Sequence, residues 1–335
     1  DCAMRRWGSI TARMSFPLSD HCNGKTFFQT GARVSRGWLD VLRWRLAGRA
    51  RPWPRWVALP PGAPHRPPAA GEIAVTWINH ATFLLETPAG CFLTDPVYSE
   101  RASPVAWAGP RRVHAPGVPF DVLPRIDGVL LSHDHYDHCD LPTLRRLAAR
   151  DAPKVVCPLG HRELLASAGL QRVAELDWWD THAWSAELEV TLTPAQHWCR
   201  RSIGGTNRRL WGGFFLRLGA RRIYFAGDSG YDPSLFTSIG RRLGTPDLAL
   251  LPIGAYEPRW FMRPAHMNPA EAVQAHRDLA ARSSVAMHWG CWQMADEGRD
   301  DPPEALARSR TEAGIAATEF RLISPGESVF LAPLT

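Results

Sequence analysis

The chain has 335 residues, 45% hydrophobic and 21% charged, the balance of a globular protein with a large core rather than a disordered one. Its formal charge of +6 is modest, and no run of about 20 apolar residues offers a membrane span. Seven cysteines at irregular spacing, without a Cys-x-x-Cys pair, argue against a disulfide framework and for a reducing compartment.

The charge is concentrated at the start. Residues 1–60 carry eleven basic against three acidic side chains, a net +8 that leaves −2 for the rest. Arg5, Arg6 and Arg13 interrupt Ala3–Phe16, so no secretory signal is seen and a cytoplasmic location is expected. The chain begins at Asp1 rather than Met, which leaves a processed or truncated start open, and residues 1–13 read as disordered. Gly37–Gly48 reads as a helix with Trp38, Leu39, Leu42 and Leu46 on one side and Arg36, Arg43 and Arg45 around it. Trp53 and Trp56 follow among prolines. Two surfaces suit this mixture, an anionic bilayer with the rings at headgroup depth or the rest of the protein with the arginines left in water, and the residues alone favour the second. No base-reading motif accompanies the charge, so nucleic acid is not expected.

Pro60–Gly71 reads as a linker, dividing a basic extension over 1–65 from a globular domain over 66–335. Ile73–Ile78, Thr82–Glu86 and Cys91–Thr94 then read as a meander whose strands end at Asn79-His80 and Thr94-Asp95-Pro96. The next apolar run, Ile126–Leu131, reads as a buried strand and stops abruptly at His133-Asp134-His135-Tyr136-Asp137-His138. Leu141–Arg150 has Leu144, Leu147 and Ala148 on one helical face; Lys154–Cys157 is a strand and His161–Ala168 a helix. Glu187–Thr193 is a strand that presents His197, while Leu210–Leu216 and Arg222–Ala226 pair and deliver Asp228 through Gly227. Leu248–Pro252 is a strand, Pro269–Ala281 a helix capped by Asn268, Val285–Met287 a strand leading to His288, and Glu304–Ala313 a helix before two short strands. Strands, then alternating helices and strands, then the same again predict an α/β molecule with two sheets face to face and helices outside.

Five polar side chains at one strand end cannot all be buried unpaired, since each orphan would cost about 1–3 kcal/mol. A metal is the expected partner, and the bend between His133/His135 and Asp137/His138 favours two ions over one. Imidazoles with a few carboxylates suit zinc, with iron or manganese next. Cys139 and Cys199 adjoin these ligands but read as small buried apolar residues. No Gly-x-Ser-x-Gly offers a nucleophilic serine instead.

The His133–His138 motif, with isolated His197, Asp228 and His288, resembles the metallo-β-lactamase superfamily. Leu176-Asp177-Trp178-Trp179, Gln196-His197-Trp198-Cys199, Phe225–Tyr231, Pro252–Met262 and His288-Trp289-Gly290 are similar to its N-acylphosphatidylethanolamine-hydrolysing phospholipase D branch, from about Pro52 onward. That resemblance implies a four-layer αββα sandwich. It implies that His133, His135 and His197 hold one zinc, that Asp137, His138 and His288 hold the other, and that Asp228 bridges them. It further implies that a hydroxide between the ions attacks a phospholipid phosphodiester, giving phosphatidic acid and N-acylethanolamine. His266 would then assist at the leaving group, and Asp134 would polarise water or order the loop. His80 and Asp95 would orient ligands, while Tyr136, Tyr256, Arg259 and Trp260 would line the substrate groove. The Arg-rich start and Arg263-Pro264-Ala265 match the animal enzymes poorly, which leaves specificity for N-acylated phospholipids open. Two alternatives stand beside this reading: a dizinc hydrolase of another ester, such as a lactone or sugar phosphate, and a non-catalytic regulatory binding protein. The partners expected are a phospholipid or other small ester, a membrane surface met through residues 1–60, and, left open, a second copy in a homodimer.

Overall fold

The structure, a computed structural model, describes residues 15–29, 37–59, 66–202 and 204–333; the expected disorder over 1–13 and the linker residues 60–65 lie outside them. A short ribbon of β1 (Leu18–Ser19) and β2 (Cys22–Asn23) precedes α1 (Trp38–Ala47). The first sheet then begins as an antiparallel meander of β3 (Ile73–Asn79), β4 (Thr82–Thr87) and β5 (Gly90–Thr94). To it β6 (Gly128–Leu130), β7 (Lys154–Pro158) and β8 (Val173–Leu176) add in parallel, through crossovers carrying α2 (Leu141–Arg150) and α3 (Arg162–Ala166).

The second sheet repeats that plan. An edge strand β9 (Thr181–Ala183) precedes the meander β10 (Leu188–Thr193), β11 (Gly213–Leu218) and β12 (Arg221–Phe225). Then β13 (Leu248–Pro252), β14 (Ser284–Met287) and β15 (Phe320–Arg321) add in parallel. Between them run α4 (Pro233–Leu243), α5 (Arg259–Met262), α6 (Pro269–Asp278) and α7 (Asp301–Ala313). Finally β16 (Ser328–Leu331) returns to β3, so the orders are β16-β3-β4-β5-β6-β7-β8 and β15-β14-β13-β12-β11-β10-β9.

Strand alternation sorts the side chains into layers. In the first sheet Phe83, Leu85, Phe92, Leu130 and Val156 join a core shared with Val190, Phe214, Leu216 and Phe225 of the second. Their neighbours Leu84, Leu93, Val129 and Val155 face the other way, against Leu144, Leu147 and Leu165 of α2 and α3. The expected αββα sandwich is thus the observed fold.

Some boundaries differ from the sequence expectation. Residues 210–212 do not pair as a strand, because the Trp211 indole donates to the Ala195 carbonyl (2.8 Å) and the Gly212 amide to Ser132 (3.1 Å). The helix expected over His161–Ala168 is only Arg162–Ala166, and α6 stops at Asp278. Asn268 does cap α6: its side chain accepts from the Glu271 amide (2.8 Å), and Glu271 accepts in return from the Asn268 amide (3.0 Å). The described parts of the basic extension are docked on the 66–335 domain. Cys22 and Phe27 enter the shared core, the Trp44 indole donates to Asp296 (2.8 Å), and the Trp53 indole donates to the Glu297 carbonyl (2.9 Å). No described helix is long and apolar enough to cross a membrane.

Candidate metal centre

The registers Asn79↔Thr82, Thr94↔Leu130, Phe225↔Leu250 and Pro252↔Met287 bring the carboxyl ends of β3, β5, β6, β12, β13 and β14 to one rim of the sandwich. The expected ligands follow the ends of β6, β12 and β14, and His197 follows that of β10. The repeated plan makes the placement regular: His80 and His197 follow the first strand of each meander, and Asp95 and Asp228 follow the last. Several of these strands break off in a left-handed turn, with φ of 44° at His80, 34° at Asp95 and 63° at His288. Such backbone costs about 1–3 kcal/mol per residue and persists only where packing over-determines it. Before Asp228 the turn falls on Gly227 (φ 59°), where a Cβ would lie 2.9 Å from both the Gly212 oxygen and Ser132.

The seven ligands meet as two clusters. His135 Nδ1 lies 2.9 Å from His133 Nε2 and 3.2 Å from His197 Nε2. That is close to the ~3.3 Å separating two nitrogens on a tetrahedral ion with bonds of roughly 2.0–2.1 Å. Asp137 Oδ2 lies 3.5 Å from His138 Nε2 and 3.6 Å from His288 Nε2. Asp228 stands between the clusters: Oδ2 is 3.2 Å from His138 Nε2 and 3.8–3.9 Å from His197 and His133, while Oδ1 is 3.1 Å from His288 Nε2. His138 Nε2, His288 Nε2 and Asp228 Oδ1 are all buried without a hydrogen-bond partner. Buried orphans aimed at one another around a shared carboxylate are what a pair of cations satisfies, and the residues fit a binuclear metal site.

The electrostatics agree. Burial works against charge on His138 and His288, yet Asp228 and Asp137 overcome it, raising His138 well above the usual imidazole range and His288 to about 9. Burial likewise opposes the Asp137 and Asp228 carboxylates, but the neighbouring imidazoles hold both well below the carboxylate range. Protons therefore collect where positive charge is wanted. His133 is pushed well down by burial and by the adjacent imidazoles, and His197 by burial, so both keep the neutral form that a metal requires.

A surrounding shell fixes which nitrogen three of these histidines present. His138 Nδ1 donates to Asp95 Oδ2 (2.7 Å), which also accepts from the Ser132 hydroxyl (2.5 Å). His133 Nδ1 donates to that same hydroxyl (2.8 Å), and His197 Nδ1 donates to the Ala265 carbonyl (3.0 Å). Each Nε2 is left facing the centre. His80, pushed down to about 3 by burial and by His288, donates from Nε2 to Asp137 Oδ2 (3.1 Å).

Two arginines brace the ligand loop from the segment after β10. Arg209 pairs with Asp134 Oδ2 (2.9 Å), and Arg201 donates to the carbonyls of Asp134 (2.9 Å) and Cys139 (2.7 Å). The Asp134 carboxylate is thus paired with Arg209 and belongs to neither ligand cluster. Cys139 and Cys199 are buried and belong to neither ligand cluster, as expected of small apolar residues. Ser132, Arg201 and Arg209 were not foreseen; the hydroxyl beside His133 was visible, but nothing in sequence links 201 or 209 to the loop.

His266 lies at the inner end of a groove of about 280 Å³. Its Nδ1 is buried, unpartnered and 3.9 Å from Asp228 Oδ2, and burial pushes it down to about 4. The groove walls are mostly apolar: Trp38, Val41 and Trp44 of α1 face Trp198, Phe261, Met262 and Met294, with Arg200 beside them. The four residues expected to line it, Tyr136, Tyr256, Arg259 and Trp260, are absent from that lining. The Tyr136 hydroxyl donates to the Arg201 carbonyl (2.7 Å), and the Arg259 guanidinium ties down the His266 carbonyl (3.1 Å), the Tyr256 carbonyl (3.2 Å) and Glu271 (2.6 Å). Tyr256 donates its amide to Glu297 (3.1 Å), and the short α5 turns Phe261 and Met262 inward while Trp260 stays 41% exposed under Arg43.

The model of the β-lactamase superfamily domain matches residues 91–289, from β5 through His288. The chain belongs to the metallo-β-lactamase superfamily and is a metal-dependent hydrolase of that class. Within it the chain is 40% identical to N-acyl-phosphatidylethanolamine-hydrolyzing phospholipase D 1 of Caenorhabditis elegans, over 75% of this chain and 74% of that protein. It is 42% identical to an uncharacterized Mycobacterium tuberculosis protein (71% and 64% covered) and 37% identical to the mitochondrial N-acyl-phosphatidylethanolamine-hydrolyzing phospholipase D of Saccharomyces cerevisiae (64% and 47%). The chain thus spans less than two thirds of those last two relatives. Among solved structures, an isothiocyanate hydrolase from Delia radicum gut bacteria superimposes with a TM-score of 0.63 at 21% identity, over 78% of this chain and all of that one. The diiron β-hydroxylase CmlA of Streptomyces venezuelae gives 0.59 at 23%, over 79% and 55%. These two likenesses establish the fold alone, since the two reactions named differ from each other.

Proposed function

We propose that the protein is a phosphodiesterase of the phospholipase D type, cleaving N-acylphosphatidylethanolamine to phosphatidic acid and N-acylethanolamine. The observation that carries this reading is the apolar groove ending at His266 beside the two ligand clusters. A long-chain phosphodiester needs both features in one place, and the worm and yeast relatives bear that activity in their names. Two zinc ions, when bound, supply an activated water at neutral pH and neutralise charge on phosphoryl oxygens; iron or manganese would suit the same donors.

The chain's own residues divide the remaining work. His133, His135 and His197 would hold one ion, Asp137, His138 and His288 the other, and Asp228 both. Trp44, Phe261 and Met262 exclude water and take the acyl chains, while Arg200 stands beside them for the phosphate. His266 Nδ1, unpartnered and neutral, is placed to relay a proton towards the departing oxygen. On the outside of α1, Leu39 and Leu46 are 61% and 77% exposed among arginines, a face that suits the bilayer from which such a substrate comes.

Metal analysis with hydrolysis of N-acylphosphatidylethanolamine, bis-p-nitrophenyl phosphate and a lactone tests the reading. Release of phosphatidic acid from the first supports it. Cleavage of the lactone alone would make this a hydrolase of another ester.

A further inference from the structure

A second cleft, of about 750 Å³, lies beside the catalytic groove and shares Trp44 and Met294 with it. Its walls come from residues 44–55, from 101–113, and from the 293–296 segment beyond His288. Arg45, Arg55, Arg101 and Arg111 line it against one carboxylate, Asp296. Asp296 already accepts from the Trp44 indole (2.8 Å). Arg111 is ion-paired, with Glu100 outside the lining. The other three are not neutralised among the described residues: Arg101 donates to the Gly109 carbonyl (2.6 Å) while its Nε is buried without a partner, Arg45 lies against the Trp44 ring (5.1 Å), and Arg55 has no ion pair.

These charges are held in place, not trailing. Residues 48–59 have no helix or strand, yet Arg51 N donates to the Asp296 carbonyl (2.9 Å) and the Trp53 indole to Glu297 (2.9 Å). Gln293 donates back to the Arg51 carbonyl (2.6 Å), and Val57 N to Val113 (2.6 Å). Ordering the segment in advance removes much of the entropy that a ligand would otherwise have to supply.

We propose that this cleft binds a phosphomonoester, as a site separate from the metal centre. Three unneutralised guanidiniums call for an anion of more than one charge, and their planar forks match phosphate oxygens in pairs. Trp44 and Trp53 are anchored through their indole N–H groups, and with Pro54 and Met294 they give the cleft an apolar part for the carbon skeleton that carries the phosphate. A lipid headgroup such as phosphatidic acid and a soluble phosphomonoester share this chemistry. The inference does not depend on the proposed reaction, because it is read by binding and not by turnover.

The test uses the metal-loaded full chain in two arms: calorimetric titration with glycerol 3-phosphate, and sedimentation with phosphatidylcholine vesicles with or without phosphatidic acid. Arg55→Glu is compared with wild type, and Arg308→Glu, a reversal at an exposed position of α7, serves as the charge-matched control. Arg55 is exposed and unpaired among the described residues, so its variant folds; Arg101→Lys is a second variant that keeps the charge and loses the fork. Any phosphate held at the metal centre is common to all four proteins and cancels. A tenfold or greater loss in Arg55→Glu with glycerol 3-phosphate assigns a soluble phosphomonoester, and such a loss confined to phosphatidic acid vesicles assigns a headgroup; either supports the site. Equal affinity of Arg55→Glu and wild type in both arms, or an equal loss in Arg308→Glu, overturns it.

Discussion

Asp228 stands between the two halves of the centre, its Oδ2 facing His133, His138 and His197 and its Oδ1 facing His288. Asp228→Asn keeps the shape and removes the charge, so that of the two carboxylates facing the Nε2 atoms of His138 and His288 only Asp137 stays. Turnover should disappear and metal content should fall at both positions, measured by elemental analysis of the purified variant; normal turnover would contradict the bridging role. Ser132 acts one layer out, since its hydroxyl joins Asp95 to His133 Nδ1. Ser132→Ala should lower metal affinity roughly 10–100-fold in chelator competition, the usual effect of losing a ligand's outer partner. If affinity is unchanged, the Asp95–Ser132–His133 chain is packing and not tuning. The side chains of the two clusters were legible in sequence because four fall within six residues and the rest each follow an apolar run. Arg209 was not, as its pairing with Asp134 exists only once residues 75 apart are folded together.

At the scale of elements, α1 separates two roles that one sequence pattern had left undivided. Gly37 N closes on Asp40 Oδ2 (3.0 Å) at its start, and Gly48 ends it at φ 57°. One side, Val41 and Trp44, walls the groove, with Trp44 stacked 4.9 Å from Phe261, while Leu39 and Leu46 point away. If that outer side meets a bilayer, each leucine contributes about 1.5–3 kcal/mol of burial. Leu39→Asp/Leu46→Asp should then weaken vesicle partitioning about tenfold or more, with hydrolysis of water-soluble bis-p-nitrophenyl phosphate little altered. Equal sedimentation of variant and wild type would leave α1 as a groove wall only. Elements with strong local signals matched their expected bounds, as Leu141–Arg150 and Leu248–Pro252 did. The missed α4 carried a readable start, Asp232-Pro233-Ser234, with Asp232 accepting from the Ser234 amide (2.8 Å). The edge strands β8 and β9 carried little signal, because they pair through the backbone and, Leu176 apart, their side chains are half-buried or exposed.

For the whole molecule, the centre is also a fastening between the two sheets. His133, His135, Asp137 and His138 come from the rim of the first, and His197, Asp228 and His288 from the rim of the second. The groups that the ions would join are thus far apart in an unfolded chain, and metal binding must favour the folded state. An ion present at a hundredfold excess over its dissociation constant contributes about 2.7 kcal/mol. At roughly 2 °C per kcal/mol for a large domain, two ions raise the melting midpoint by on the order of 10 °C. Dialysis against a chelator should lower the midpoint by that order, and stoichiometric zinc should restore it. The stripped protein should remain folded at neutral pH, since protons on His138 and His288 partly replace the cations and the shared core of both sheets needs no metal. An identical midpoint before and after chelation, with metal loss verified, would mean that the sheets are held by apolar packing alone and that the rim clusters add nothing to it.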